Sequence, residues 1–270
     1  MTPPIGPATR LCMSIAARPG TFGSRFHNHL YEALGLDYVY KAFQPTDLEG
    51  AVGAMRALGI RGCGVSMPYK EAVIPMLDAL EPSAAVIDSV NTIVNDDGRL
   101  TGFNTDYSAV RTLIEEAGLA GTRFILRGSG GMAKATVAAL RDAGLHDGIV
   151  VSRNEATGRA ICVQYGFGWS AELGDLTAPL LVNVTPLGMR GDNADTLAFP
   201  ERAIAAAGTV FDVVAVPPET PLLRAAGRMG KRVITGQAVS ALQALEQFVL
   251  YTGVRPSPEQ VDTARAYAAG

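Results

Sequence analysis

The stretch RFILRGSGGMAKATVAALRDAGLHDGIVVSR, residues 123–153, narrows the possible folds more than any other part of the chain. A short apolar run gives way to glycines, then to a helix-period pattern of Ala, Val and Leu, then to a second run rich in Val and Ile. Strand, helix and strand in that order make a βαβ crossover of a parallel sheet. Gly128, Gly130 and Gly131 let the backbone turn tightly and approach a pyrophosphate, whose charge the amino terminus of the following helix meets. The spacing is GxGGxA, with the small Ala133 where the helix packs close, so the loop is a variant of the dinucleotide fingerprint; the competing reading is a purely structural turn. The end of the second strand bears on which dinucleotide. NAD calls for an acidic residue there; this chain has Ser152 and Arg153, and an arginine pairs with a 2′-phosphate, so the expected cofactor is NADP. Arg159, on the next helix, either assists or lies on a solvated face.

The same alternation runs through the whole chain. Strands are expected at RLCMSIA, DYVYKAF, GCGVSM and VNTIVN, with helices at FHNHLYEAL, DLEGAVGAMRALG and EAVIPML. The DDG of residues 96–98 has the chemistry of a hairpin turn. After NTD at 104–106, the helix YSAVRTLIEEAGLA leads into the glycine-loop region, where LLVNVT, TVFDVVAV and KRVIT continue a second sheet. The closing segments QAVSALQALEQFVLYTG and SPEQVDTARAYAAG read as helices. The expected fold is α/β in two lobes with a cleft between them: residues 1–106, joined by helices 238–270, and a Rossmann lobe at 107–237.

Composition removes several classes of function. With a formal charge of -3 and a pI near 5.7 the chain has no basic footprint, which argues against nucleic acid and anionic membranes as partners. No stretch of about 18 apolar residues is present to span a bilayer, and MTPPIGPATR lacks the pattern of a signal peptide. Cys12, Cys63 and Cys162 form no CxxC pair and read as buried reduced thiols of a cytoplasmic protein. His27, His29 and His146 fit no ligand pattern, so no metal is expected. The expected partner is a small molecule, with the protein a monomer or homodimer.

Polar residues in the first lobe cluster at the ends of elements. They are Ser66 and Lys70 in GVSMPYK, Asn91 and Thr92 in SVNT, and Asn104, Thr105 and Asp106 in GFNTD. The chain has only four lysines among its 23 Lys and Arg. An ammonium can release its proton near neutral pH when partly desolvated, whereas a guanidinium effectively cannot. A carboxylate beside such a lysine holds it in place, and amides and hydroxyls grip a polyol. The bland readings are an exposed Lys70, an Asn91 that satisfies backbone groups, and an Asp106 that caps a helix.

GVSMPYK, SVNTIVNDDGRLTGFNTD, GSGGMAKA, VNVTPLGM, FDVVAVPPETPLL and QALEQFVLYTG, in this order, resemble the shikimate dehydrogenase family along almost the whole chain. CMS, ARPGTFG and RGSGGMAK are most similar to its divergent shikimate dehydrogenase-like branch. The resemblance implies a substrate lobe, a Rossmann NADP lobe, and interconversion of shikimate and 3-dehydroshikimate or of a related cyclic hydroxy acid. The alternatives are a quinate-using enzyme and a non-enzymatic NADP-binding regulator. It further implies that Lys70 and Asp106 are catalytic, and that Asn91, Ser66 and Gln243 face the substrate. Gly128, Ser129, Gly130, Gly131, Met132, Ser152, Arg153 and Thr185 fall on cofactor positions. Family members usually hold the substrate carboxylate with two serines; here the matching positions are either Thr21 and Gly23 or Ser14 and Ala16, so one hydroxyl of the pair is lost. A usual tyrosine is Ala215 and a usual asparagine is Gly64. Arg18 is a nearby cation, or simply an exposed loop residue.

Overall fold

The computed structural model describes residues 5–269. The first four residues of MTPPIGPATR, and Gly270 at the end of the closing helical segment, lie outside them. The elements in chain order are β1 (Arg10–Ile15), α1 (Phe22–Ala33), β2 (Tyr38–Phe43), α2 (Leu48–Ala57), β3 (Gly62–Val65), β4 (Ala79–Leu80), α3 (Pro82–Ala85), β5 (Thr92–Asp96), β6 (Arg99–Phe103) and α4 (Thr105–Glu116). They continue with β7 (Phe124–Arg127), α5 (Gly131–Asp142), β8 (Gly148–Val151), α6 (Glu155–Tyr165), β9 (Gly168–Ser170), β10 (Leu180–Asn183), α7 (Glu201–Ala206), β11 (Thr209–Asp212), α8 (Pro221–Arg228), β12 (Arg232–Thr235), α9 (Gly236–Thr252) and α10 (Pro258–Ala269). The chain forms two compact units, Met1–Thr105 with Ala241–Gly270, and Asp106–Ser240.

The first unit holds a mixed sheet in the order β2-β1-β3-β5-β6-β4. β1 runs parallel to β2 and β3, while β5 is antiparallel to β3 and β6. Asp97 and Gly98, at φ 50 and 93, make the turn expected of DDG, since both central residues of the favoured hairpin turn need positive φ. Side-chain alternation along the strands separates two cores. Met13, Ile15, Val65 and Ile93 pack with Val52 and Met55 of α2. On the other face, Cys12, Tyr40 and Val94 meet Phe26 and Leu30 of α1, Phe248 and Tyr251 of α9, and Ala264 of α10. The helix expected at EAVIPML is reduced to a single 3₁₀ turn, Ile74–Met76. Seven residues interrupted by Pro75 are too few to offset the cost of nucleating an α-helix.

His27 lies within the second of these cores. It is fully buried, its ring stacks on Tyr40 at 4.4 Å and 9°, and neither ring nitrogen has a hydrogen-bond partner. Burial pushes its pKa down to about 3, with the neighbouring Gln247 amide acting weakly the other way. The folded protein therefore binds this proton less readily than the unfolded chain does, so His27 supports the fold fully above its ordinary pKa and progressively less as pH falls towards 3. We expect stability to fall by about 2 kcal/mol between pH 6.5 and pH 5 from this residue. Urea midpoints across that range should drop in the wild type and be flatter in His27→Phe.

The second unit is an all-parallel sheet in the order β12-β11-β10-β7-β8-β9. Its central strands β10 and β11 are buried along their whole length, the mark of a sheet covered on both faces. β9, three residues centred on Trp169, carries too little apolar pattern to announce itself in the sequence. Ile125, Val151, Leu181 and Val210 form the core on one face with Phe199, Ile204 and Leu222. Among the described residues, no helix is long and apolar enough to cross a membrane.

Candidate active site

In the first unit β1, β2 and β3 end along the edge where β5 begins and β6 ends. Backbone hydrogen bonds carry the sheet past its formal strands there. The Ser66 amide donates to Ile15 at 2.9 Å, Val65 to the Asn91 carbonyl at 2.7 Å, and Asn91 to Phe103 at 3.0 Å. These bonds align Ser14, Ser66, Asn91 and the 103–105 segment on one edge, where ligands of open α/β sheets bind. Ser66 is exposed, while Ser14, Lys70 and Gln243 are half-buried. The Lys70 carbonyl accepts from the Val90 amide at 2.8 Å, which ties the lysine to the residue before Asn91.

Asn91 is the centre of this edge. It is fully buried, and its Oδ1 accepts from Thr92 Oγ1 at 2.8 Å, the Thr105 amide at 2.8 Å and Thr105 Oγ1 at 3.2 Å. Its Nδ2 donates to Thr105 Oγ1 at 3.0 Å. Asn91 thus clamps the start of β5 to the start of α4. α4 opens at Thr105, so Asp106 lies inside the first helical turn and not at its cap. A carboxylate in that turn faces the positive end of the helix dipole.

Gln247 was not apparent as part of this network from the sequence. It is buried, and its Nε2 donates to the Asn91 carbonyl at 3.2 Å and to Thr92 Oγ1 at 2.9 Å. Its spacing of four from Gln243 puts both amides on one face of α9, the single local signal that could have marked it. Thr21, at the N-cap of α1, is exposed and makes no side-chain capping bond.

In the second unit the loop after β7 is shaped for close backbone approach. Gly128 has φ +125, and a Cβ there would meet Val184 Cγ2 at 2.8 Å, so no side chain fits. A Cβ on Gly130 or Gly131 would meet nothing within 4 Å, leaving open space at the amino terminus of the 12-residue α5. That cradle suits a pyrophosphate. Ser129 Oγ lies 2.8 Å from Thr157 Oγ1, joining the loop to α6. Met132 is half-buried and Arg153 exposed. Ser152 is buried: it accepts from Trp169 Nε1 at 3.1 Å and donates to the Asn154 carbonyl at 3.2 Å. Arg159 pairs with Glu155 and lies over the Trp169 ring at 4.4 Å.

A second buried network shapes the loops after β10 and β11. Asp212 accepts from Asn183 Nδ2 at 3.0 Å, from the Val214 amide at 3.1 Å and from Thr220 Oγ1 at 2.6 Å. Burial raises its pKa, and these three bonds work against that rise. Asn183 Oδ1 in turn accepts from the Thr185 amide and hydroxyl at 3.1 and 2.6 Å, fixing Thr185 at the strand end.

Two lobe-sized units, a glycine cradle and a polar strand edge restrict the relatives this chain can have. Residues 21–93 match the family model of the shikimate dehydrogenase substrate binding domain. The shikimate dehydrogenase-like protein of Haemophilus influenzae is 50% identical over 262 residues, spanning 96% of this chain and 97% of its own. The chain belongs to the shikimate dehydrogenase family.

The structure of a shikimate 5-dehydrogenase-like protein superposes with a TM-score of 0.96 at 50% identity, over 98% of this chain and 100% of that one. Shikimate dehydrogenase of Thermus thermophilus, solved with NADP(H) and shikimate, gives a TM-score of 0.83 at 30% identity, over 96% and 99% of the two chains. Solved members of the shikimate dehydrogenase family carry NADP in some structures and NAD in others. In the present member, Ala215 is half-buried just beyond β11, and the loop residue Arg18 is exposed.

Proposed function

We propose that the protein is an NADP-dependent dehydrogenase acting on the ring hydroxyl of shikimate or of a related cyclic hydroxy acid. The observation that carries this reading is the Asn91 clamp. Its neighbour Val90 holds the Lys70 carbonyl, and its own side chain holds Thr105, the residue before Asp106. Lys70 is thus tied by its backbone to the residue before Asn91, and the Asn91 side chain holds the residue before Asp106.

The glycine loop, Arg153 and Thr185 are the residues that would hold the cofactor, which supplies the hydride acceptor or donor when bound. Lys70 Nζ takes the proton from the substrate hydroxyl or stabilises the developing alkoxide, and Asp106 favours the ammonium form. Ser66 and Gln243 bind the substrate hydroxyls, and Ser14 and Thr21 are the candidate hydroxyls for its carboxylate. A regulator that only senses NADP has no need of such an arrangement.

The test is NADP+ reduction, followed by absorbance, with shikimate, quinate and a panel of cyclic hydroxy acids. Saturable turnover with at least one of them is expected, and none despite tight NADP+ binding would contradict the proposal. Arg153 reports on the cofactor separately. Arg153→Gln should raise KM for NADP+ roughly ten- to a hundred-fold, as expected for a lost hydrogen bond to a charged group, and leave KM for NAD+ unchanged.

A further inference from the structure

Asp106, to which the proposed function gives a part in proton transfer, is followed on α4 by a tyrosine that none of the preceding roles uses. Tyr107 is 8% exposed, and its hydroxyl donates to Asp142 Oδ2 at 2.7 Å. Asp142 is the last residue of α5, the helix whose other end is the glycine cradle. One hydrogen bond therefore joins the helix that carries Asp106 to the helix that would meet the cofactor, within a single compact unit.

Both ends of this bond are held. Asp142 also accepts from Arg141 Nε at 2.7 Å, and the Arg141 guanidinium lies over the ring of Tyr165, the last residue of α6, at 5.1 Å. Burial works to raise the pKa of Asp142, but the bonds from Arg141 and Tyr107 outweigh it and keep the carboxylate ionised. Burial and the neighbouring carboxylate raise the pKa of Tyr107, so the phenol stays protonated and donates. Along α5, Ala135, Val137, Ala138, Ala139 and Leu140 are buried, which seats that helix firmly in its unit. On α4 itself Arg111, one turn beyond Tyr107, flanks the same hydroxyl and pairs with Glu115 at 2.8 Å.

We infer that Tyr107 is a positioning residue for Asp106, acting through its bond to Asp142. Successive residues of a helix point about 100° apart, so fixing the Tyr107 side chain fixes the rotation of the first turn of α4 and with it the direction of Asp106. Asn91 holds the residue before Asp106, and Asp142 holds the residue after it. A hydroxyl bonded to a carboxylate at this distance makes a charge-assisted bond, about twice as strong as a neutral one. The inference rests on the proposed dehydrogenase function and names a residue that sets the geometry of that site. A displacement of about 1 Å costs about a hundred-fold in rate, so a looser first turn should cost roughly ten-fold.

Two readouts test this together. One is steady-state kinetics on the best substrate of the panel; the other is the carboxyl carbon resonance of Asp106 in isotope-labelled protein, identified by its loss in Asp106→Asn. Tyr107→Phe should lower kcat roughly ten-fold with KM for NADP+ unchanged, and should shift the Asp106 resonance and its titration midpoint. Asp142→Ala should reproduce both effects, and the double variant should add nothing, because the two substitutions break one bond. Asp142→Asn keeps an acceptor for the phenol and should stay close to wild type in both readouts. A purely structural bond would instead lower the denaturation midpoint of Tyr107→Phe and leave kcat and the Asp106 resonance as in wild type. That result would overturn the inference, as would additive effects or an Asp142→Asn no better than Asp142→Ala. If Tyr107→Phe does not fold, the comparison of Asp142→Ala with Asp142→Asn decides. No turnover of any acid by wild type contradicts the dehydrogenase reading, and the Asp106 resonance then decides the positioning role alone.

Discussion

Lys70→Ala is expected to lower kcat by two to four orders of magnitude, the usual contribution of a positioned proton-transfer group, with NADP+ affinity unchanged. Lys70→Arg is the sharper variant. It keeps the positive charge and much of the length, but a guanidinium does not give up its proton near neutral pH. If Lys70 exchanges a proton, Lys70→Arg should be nearly as inactive as Lys70→Ala. If it only stabilises an alkoxide, Lys70→Arg should retain a substantial fraction of turnover. Steady-state kinetics on the best substrate reads both, and kcat within threefold of wild type in Lys70→Ala would remove Lys70 from the mechanism.

The largest expected loss of stability comes from Asn91→Ala. The substitution leaves the Thr105 amide and the Thr92 hydroxyl without their buried acceptor and opens a small void where the amide stood. An unsatisfied buried donor costs about 1 to 3 kcal/mol, so the variant should lose about 3 kcal/mol in all. Because Thr105 precedes Asp106, activity should fall further than the folded fraction does. Chemical denaturation and kinetics on the folded variant measure the two effects independently. A stability change below about 1 kcal/mol would mean that the network is not holding the start of α4.

The parts of this architecture that were legible in the sequence are those set by local chemistry. Gly128 is required by its own φ and by the approach of Val184, and a glycine between a strand and a helix announces both. The DDG turn is fixed by the positive φ of Asp97 and Gly98. Asn91 was singled out from its strand-end motif, and the structure places it just before β5 with its side chain bonded to Thr92 and Thr105. What was hidden depends on residues far apart in the chain. Gln247 reaches Thr92 from 155 positions away, and nothing near either residue reveals the bond. Ser152, placed on the cofactor by its position after β8, spends its hydroxyl on Trp169, a partner set by the short edge strand β9. His27 and Asn28 are adjacent in the sequence, but Tyr40, the residue that both engage, emerges only when α1 packs on β2. The EAVIPML segment shows the opposite error, where an apolar pattern suggested a helix that its length and proline do not sustain.

The proposed dehydrogenase activity requires that a hydride pass between the hydroxyl-bearing ring carbon of a cyclic hydroxy acid and NADP. Shikimate, or whichever acid of the panel turns over fastest, should be labelled with deuterium at that carbon and incubated with the protein and NADP+. The deuterium is expected at C4 of the NADPH formed, on one face only, and the labelled substrate should react no faster than the unlabelled one. NADPH formed without the label, or ketone formed while the cofactor stays oxidised, would contradict it.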